Sequence, residues 1–78
     1  MSNVSFEEFS REFAKDLEIE GDQYLTANLK DIPQYDSMGK IIASLTIERL
    51  FGFQMAYEFL DESETLQSLY EVCCRQGQ

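Results

Sequence analysis

The stretch SMGKIIASLTIERLFG, residues 37–52, indicates the fold class, because its apolar residues recur at helical spacing and Gly52 follows as a terminator. Spaced about 100° apart on a helix, these residues form two stripes. The Met38 stripe consists of Met38, Ile41 and Leu45, and the opposite Ile47 stripe consists of Ala43, Ile47, Leu50 and Phe51. The sequence predicts a helix over Ser37–Phe51. It is either packed on all sides or exposes one stripe as a docking surface or ligand slot.

A first helix precedes this stretch. Ser5 is a good N-cap, and apolar residues then recur on one helical face at Phe6, Phe9, Phe13 and Leu17. Such a stripe is typical of a core-facing helix, and we expect Gly21 to end it.

Between the two helices lies a long connection, residues 18–36. Pro33 disfavours helix there, and Leu25, Leu29 and Ile32 are spaced to pin the segment onto the bundle. Loops of this length in small domains are usually functional. The end of this connection, where it meets Ser37, is therefore a candidate functional site.

The chain after Gly52 predicts two further helices, a short one around Tyr57–Leu60 and a last one capped by Thr65. The last helix places Leu66, Leu69 and either Val72 or Cys73 on one face, and its tail, residues 75–78, should fray. The prediction is an all-α fold: a small antiparallel four-helix bundle with a long loop between its first two main helices and a short third helix. The 78 residues form a single domain with its core at about 4–74.

The charge is strongly negative, with 15 acidic residues, 6 basic residues and a net charge of −9. This argues against nucleic acid as a partner and favours partners with basic patches. The chain has no histidine, so it lacks the commonest general base and metal ligand. Asp16–Asp22 has the spacing of a calcium loop, but Ala27 stands where the bidentate glutamate should be. We therefore predict neither a metal site nor an enzyme.

The two cysteines, Cys73 and Cys74, are adjacent and form no disulfide pattern, which indicates a reducing compartment. Residues 1–12 lack a basic stretch followed by an apolar run, so we expect no signal peptide. No apolar run reaches the roughly 18 residues of a membrane span. We predict a cytoplasmic monomer that does not insert into membranes.

The triplet Asp36-Ser37-Met38 lies where the long connection meets the second helix, and alone it is typical of helix capping. Together with that connection and the two-striped helix, it resembles the acyl carrier protein family. The resemblance continues through LFGFQM at 50–55 and TLQSLY at 65–70, and covers about residues 4 to 74.

This resemblance implies that Ser37 is esterified by 4′-phosphopantetheine, whose thiol carries acyl groups as thioesters, and that Asp36 helps a phosphopantetheinyl transferase. A phosphodiester suits the positive end of a helix dipole. The resemblance also assigns partner binding to Met38, Ile41 and Leu45, and the core and acyl-chain cavity to Ala43, Ile47 and Phe51. Other implied partners are an acyl-loading ligase or synthase enzymes.

Two departures from the family pattern bear on the pathway. First, Met38 replaces the usual leucine. Second, the net charge of residues 37–50 is +1, because Lys40 and Arg49 outnumber Glu48 by one. Fatty-acid-type carriers often have acidic residues there, so we expect a specialised lipid or polyketide-type pathway. Two alternatives stay open: an aminoacyl or peptidyl carrier, and a non-modified acidic helical adaptor in which Ser37 only caps the helix and the Met38 stripe binds the partner.

Overall fold

The fold is all-helical over residues 4–76, which are the residues that the computed structural model describes. The four α-helices are α1 (Phe6–Leu17), α2 (Ser37–Phe51), α3 (Tyr57–Glu62) and α4 (Leu66–Gln76). Two short 3₁₀ turns, Gln23–Leu25 and Leu29–Asp31, lie in the connection between α1 and α2. The predicted all-α class and small helical bundle are confirmed, as are the long connection and the short third helix. No helix of the described range is long and apolar enough to cross a membrane.

Helix α1 begins as predicted and the connection follows from Glu18 as predicted, but a different residue terminates the helix. The Ser5 hydroxyl accepts a hydrogen bond from the Glu8 N–H at 3.0 Å, which satisfies one of the free donors of the first turn. The helix ends at Leu17 because Glu18 adopts the left-handed conformation, with φ 57°, and its N–H returns to carbonyls of the preceding turn. Gly21 lies beyond that cap, so the prediction that it ends the helix is wrong.

The core contains one face of each helix together with side chains from the connection. Its buried apolar members are Phe9, Phe13, Leu17, Tyr24, Leu29, Ile32, Tyr35, Ala43, Ile47, Phe51, Met55, Leu60, Leu66, Leu69 and Cys73. Aromatic rings pack edge to face or tilted against one another, for example Phe9 against Phe51 at 5.8 Å and Phe13 against Tyr35 at 5.9 Å between ring centroids. Since full burial of such a side chain contributes about 1.5–3 kcal/mol, these rings anchor α1 to α2 and to the connection.

The connection between α1 and α2 is tied to the bundle at several points. Leu29 and Ile32 are buried, as the spacing predicts, whereas Leu25 is half-buried. The Leu29 N–H donates to the Glu64 carbonyl at 2.7 Å, and the buried Tyr35 hydroxyl donates to the Leu60 carbonyl at 2.8 Å. These bonds fix the end of the connection next to Ser37, so the first turn of α2 has a defined position.

The C-terminal helices follow the predicted pattern with small differences. α3 runs two residues past Leu60, to Glu62, and the Thr65 hydroxyl caps α4 by accepting from the Ser68 N–H at 3.2 Å. Cys73 is the buried alternative to Val72, and both cysteines are free thiols. α4 includes Arg75 and Gln76, which the sequence places in the frayed tail, while residues 77 and 78 lie outside the described range.

Candidate functional site

The start of α2 is capped by Asp36 and not by Ser37. The Asp36 Oδ1 accepts from the Gly39 N–H at 2.9 Å, and the Asp36 carbonyl accepts from the Lys40 N–H at 2.9 Å. Ser37 occupies the first helical position and is exposed, and within residues 4–76 its hydroxyl has no hydrogen-bond partner. The interpretation of Ser37 as the helix cap is therefore wrong.

Gly39 lets the connection lie directly against this turn. A Cβ atom at position 39 would overlap the backbone carbonyl oxygen of Gln34 and come within 3.5 Å of the Asp36 carboxylate. Only a residue without a side chain fits this contact. Gly39 was not among the predicted site residues, although a glycine in the first turn of a helix is unfavourable for helix formation and could have indicated a special contact.

A cation, a carboxylate and two aromatic rings meet beside the same turn. The Lys40 Nζ lies 2.7 Å from the Asp61 Oδ1 of α3, 5.7 Å from the ring centroid of Tyr57 and 5.9 Å from that of Tyr35. The hydrogen bond between Lys40 and Asp61 raises the pKa of the amine and lowers the pKa of the carboxyl. Burial raises the pKa of the Tyr35 hydroxyl well above its ordinary value, so it stays a neutral donor.

The two stripes of α2 have opposite exposures. Met38, Ile41 and Leu45 are 62%, 49% and 60% exposed, whereas Ala43, Ile47 and Phe51 are buried at 0%, 0% and 9%. Leu50, the fourth member of the Ile47 stripe, is half-buried. The structure thus excludes the alternative in which α2 is packed on all sides. The functional roles assigned to the two stripes stay predictions.

Both cations of α2 are paired with acids from other elements. Arg49 contacts Glu12 at 2.9 Å and Asp16 at 2.7 Å on α1, and Asp16 also accepts from the buried Thr46 hydroxyl at 2.6 Å. Lys40 is paired with Asp61, as described above. The net charge of +1 on this helix therefore does not produce an unpaired basic face. The sequence alone does not reveal these pairs, because each partner is at least 21 residues away.

Grooves on the surface of residues 4–76 include three of substantial volume. One of about 320 Å³ lies between α3 and α4, one of about 240 Å³ lies beside Leu45, and one of about 170 Å³ lies in the connection near Ile32. None of these three grooves is lined by Ala43, Ile47 or Phe51. The assignment of those three residues to an acyl-chain cavity therefore stays a prediction. Within residues 4–76 no group of three or more His, Cys, Asp or Glu side chains could hold a metal ion.

Comparisons of the chain with models of known protein families, with curated proteins and with solved structures find no match. The geometry at the start of α2 and the motif resemblance are therefore the basis for any functional assignment.

Proposed function

We propose that this chain is an acyl carrier protein in which the Ser37 hydroxyl carries 4′-phosphopantetheine. The observation that supports the proposal is that capping of α2 is done by Asp36 and does not use the Ser37 hydroxyl. Asp36 caps the helix, and Ser37, one residue later, is exposed with a hydroxyl that has no partner within residues 4–76. A serine needed only for capping would direct its oxygen to a backbone N–H of the first turn.

The surroundings of Ser37 fit a phosphodiester. The N–H groups of the first helical turn have no intrahelical acceptor, and the helix dipole adds a partial positive charge there. Asp36 uses one carboxylate oxygen for Gly39, which fixes its side chain beside Ser37. We assign to exposed Asp36 a role in recognition by the phosphopantetheinyl transferase.

The reaction needs little from the chain beyond an accessible hydroxyl. Ser37 Oγ forms a bond to the phosphorus of coenzyme A next to its pantetheine portion, the pyrophosphate bond breaks, adenosine bisphosphate leaves and the serine proton is released. The thiol of the attached arm supplies the acyl-transfer chemistry, which explains how a chain without histidine could serve a reaction pathway.

The Met38 stripe supports the binding of partner enzymes. Its three side chains follow directly after Ser37 on the exposed face of α2, where apolar residues would otherwise be buried. We propose that this face meets the transferase and an acyl-loading ligase or synthase. Because α2 has a single acid, Glu48, we assign the carrier to a specialised lipid or polyketide-type pathway, in the cytoplasm, where its free thiols would stay reduced.

A second candidate is a non-modified acidic adaptor, which the exposed Met38 stripe also favours. Under this proposal the stripe binds a partner protein and Ser37 carries nothing. The two candidates make opposite predictions for the covalent state of the protein.

Intact mass spectrometry separates them. The protein is incubated with coenzyme A and a broad-specificity phosphopantetheinyl transferase, beside Ser37→Ala and the matched control Ser44→Ala on the same helix. The carrier gains one phosphopantetheine in the wild type and in Ser44→Ala, and none in Ser37→Ala. Absence of any gain in the wild type would contradict the carrier and favour the adaptor.

A further inference from the structure

Lys40 is directed away from solvent and toward α3. Its side chain is 19% exposed, and its ammonium lies over the Tyr57 ring and against the Asp61 carboxylate, 5.7 Å and 2.7 Å away respectively. Lys40 therefore joins the first turn of α2 to α3, and we call the Lys40–Asp61 pair with the Tyr57 ring the Lys40 latch.

The latch is easily displaced. Asp61 is 59% exposed, and ion pairs at such positions are weak because water and salt compete with them. Lys30 of the connection also lowers the pKa of Asp61, more weakly than Lys40 does. Asp61 therefore keeps a cation nearby if Lys40 leaves.

Other contacts would keep α3 attached without Lys40. The Tyr35 hydroxyl donates to the Leu60 carbonyl, and the Leu60 side chain is 1% exposed. Opening of the latch should thus loosen the exposed side of α3 without detaching it.

A group attached to Ser37 lies within reach of Lys40. Positions three apart on a helix are neighbours on its surface, so Ser37 and Lys40 face the same region. Lys40 is the single cation in the first two turns of α2, and Arg49 further along is engaged by Glu12 and Asp16. A phosphodiester at Ser37 would therefore have one cationic side chain of its own helix to pair with.

We infer that modification of Ser37 opens the Lys40 latch: the phosphodiester pairs with the Lys40 ammonium and draws it from Asp61, which loosens α3. The inference rests on the proposed function, since it requires a phosphorylated group on Ser37. It makes the state of α3, and the exposure of the Tyr57 ring, depend on whether the arm is present. Partner enzymes could in this way distinguish the modified carrier from the unmodified one.

Hydrogen–deuterium exchange over α3 tests the latch, with the intact mass recorded on the same samples. In the wild type, modification should raise the exchange rates of α3 amides severalfold. In Lys40→Met, α3 should exchange rapidly before modification, and modification should add nothing. Arg49→Met is the matched control: it removes the other cation of α2, and its α3 should still respond to modification as in the wild type.

Two outcomes would overturn the inference in different ways. If the mass increases while α3 exchange in the wild type stays the same, or rises equally in Lys40→Met, the latch is wrong and the carrier function stands. If no mass is gained, the proposed carrier function is wrong, and the inference about the Lys40 latch, which depends on it, is wrong as well. Asp61→Asn keeps Lys40 and removes its partner, and it should reproduce the rapid α3 exchange of Lys40→Met.

Discussion

The two stripes of α2 consist of the same kinds of residue and have opposite environments. Ile47 is fully buried in the core, while Leu45, two positions earlier, is 60% exposed. A bundle of this size can bury one face of its second helix, so the apolar residues on the other face are not explained by folding. The Ile47 stripe therefore contributes to stability, whereas the exposed Met38 stripe adjoins the Ser37 hydroxyl, which has no partner within residues 4–76, and we propose that this stripe binds partner enzymes.

The largest difference between the stripes should be in stability. We expect Ile47→Ala to lower the free energy of unfolding by about 2–5 kcal/mol, because it leaves a cavity in the core. Leu45→Ala should change it by no more than about 0.5 kcal/mol, because the side chain is mostly in water. Urea unfolding followed by circular dichroism measures both, and equal losses would show that the two stripes do not differ as described.

Gly39→Ala should have the next largest effect. The added methyl group meets the Gln34 backbone, which is not a flexible side-chain end, so either the connection or the first turn of α2 must shift. We expect a loss of about 1–3 kcal/mol in the free energy of unfolding, as for other overpacked sites. Met38→Ala, one residue away and exposed, is the control and should be nearly neutral in the same urea titration. A fully stable Gly39→Ala protein would contradict the close approach of the connection.

The Met38 stripe should matter for partner enzymes instead. We expect Ile41→Ala with Leu45→Ala to leave the unfolding free energy within about 1 kcal/mol of the wild type. The same double variant should lower kcat/KM for phosphopantetheinyl transfer about tenfold, through the loss of apolar contacts with the transferase. Gln67→Ala, on the exposed side of α4, is the control for surface change. An unaffected kcat/KM would place the transferase contact elsewhere.

Much of the fold could be predicted from the sequence because its signals are local. The Ser5 and Thr65 caps, the Phe9 and Phe13 stripe and the bounds of α2 depend on residues within a few positions of one another. The residue that caps the end of α1 could not be predicted, because Glu18 in a left-handed conformation has no clear sequence signature.

The site was predictable in part. Ser37 and the exposed Met38 stripe followed from the motif and the helical period, but the contacts around them connect residues far apart in sequence. Tyr35 bonds to Leu60, and Lys40 pairs with Asp61, so neither interaction has a local pattern. The net charge of α2 can be counted from the sequence, but the pairing of Lys40 and Arg49 with acids of other elements cannot.

The smallest expected effect near neutral pH is the one that two buried groups, Cys73 and Tyr35, have on the pH dependence of stability. Burial raises the pKa of Cys73 from 9.0 to about 12, and it also raises that of Tyr35. The unfolded chain therefore loses these protons first as pH rises. Their contribution to stability is complete below about pH 9 and declines from there toward pH 12. Urea midpoints should be flat from pH 7 to 8.5 and should fall above pH 9.5. A midpoint that rises over that interval would contradict the burial of these groups.

We propose that Ser37 is the attachment point of the phosphopantetheine arm, and peptide mapping can locate that arm in the chain. Trypsin cleavage after Lys30 and Lys40 releases DIPQYDSMGK, residues 31–40, in which Ser37 is the sole serine and no threonine occurs. After treatment with coenzyme A and the transferase, this peptide should carry the whole mass gain, with fragment ions that locate it on Ser37. A gain on residues 41–49, which contain Ser44 and Thr46, or no gain on any peptide, would contradict attachment of the arm at Ser37.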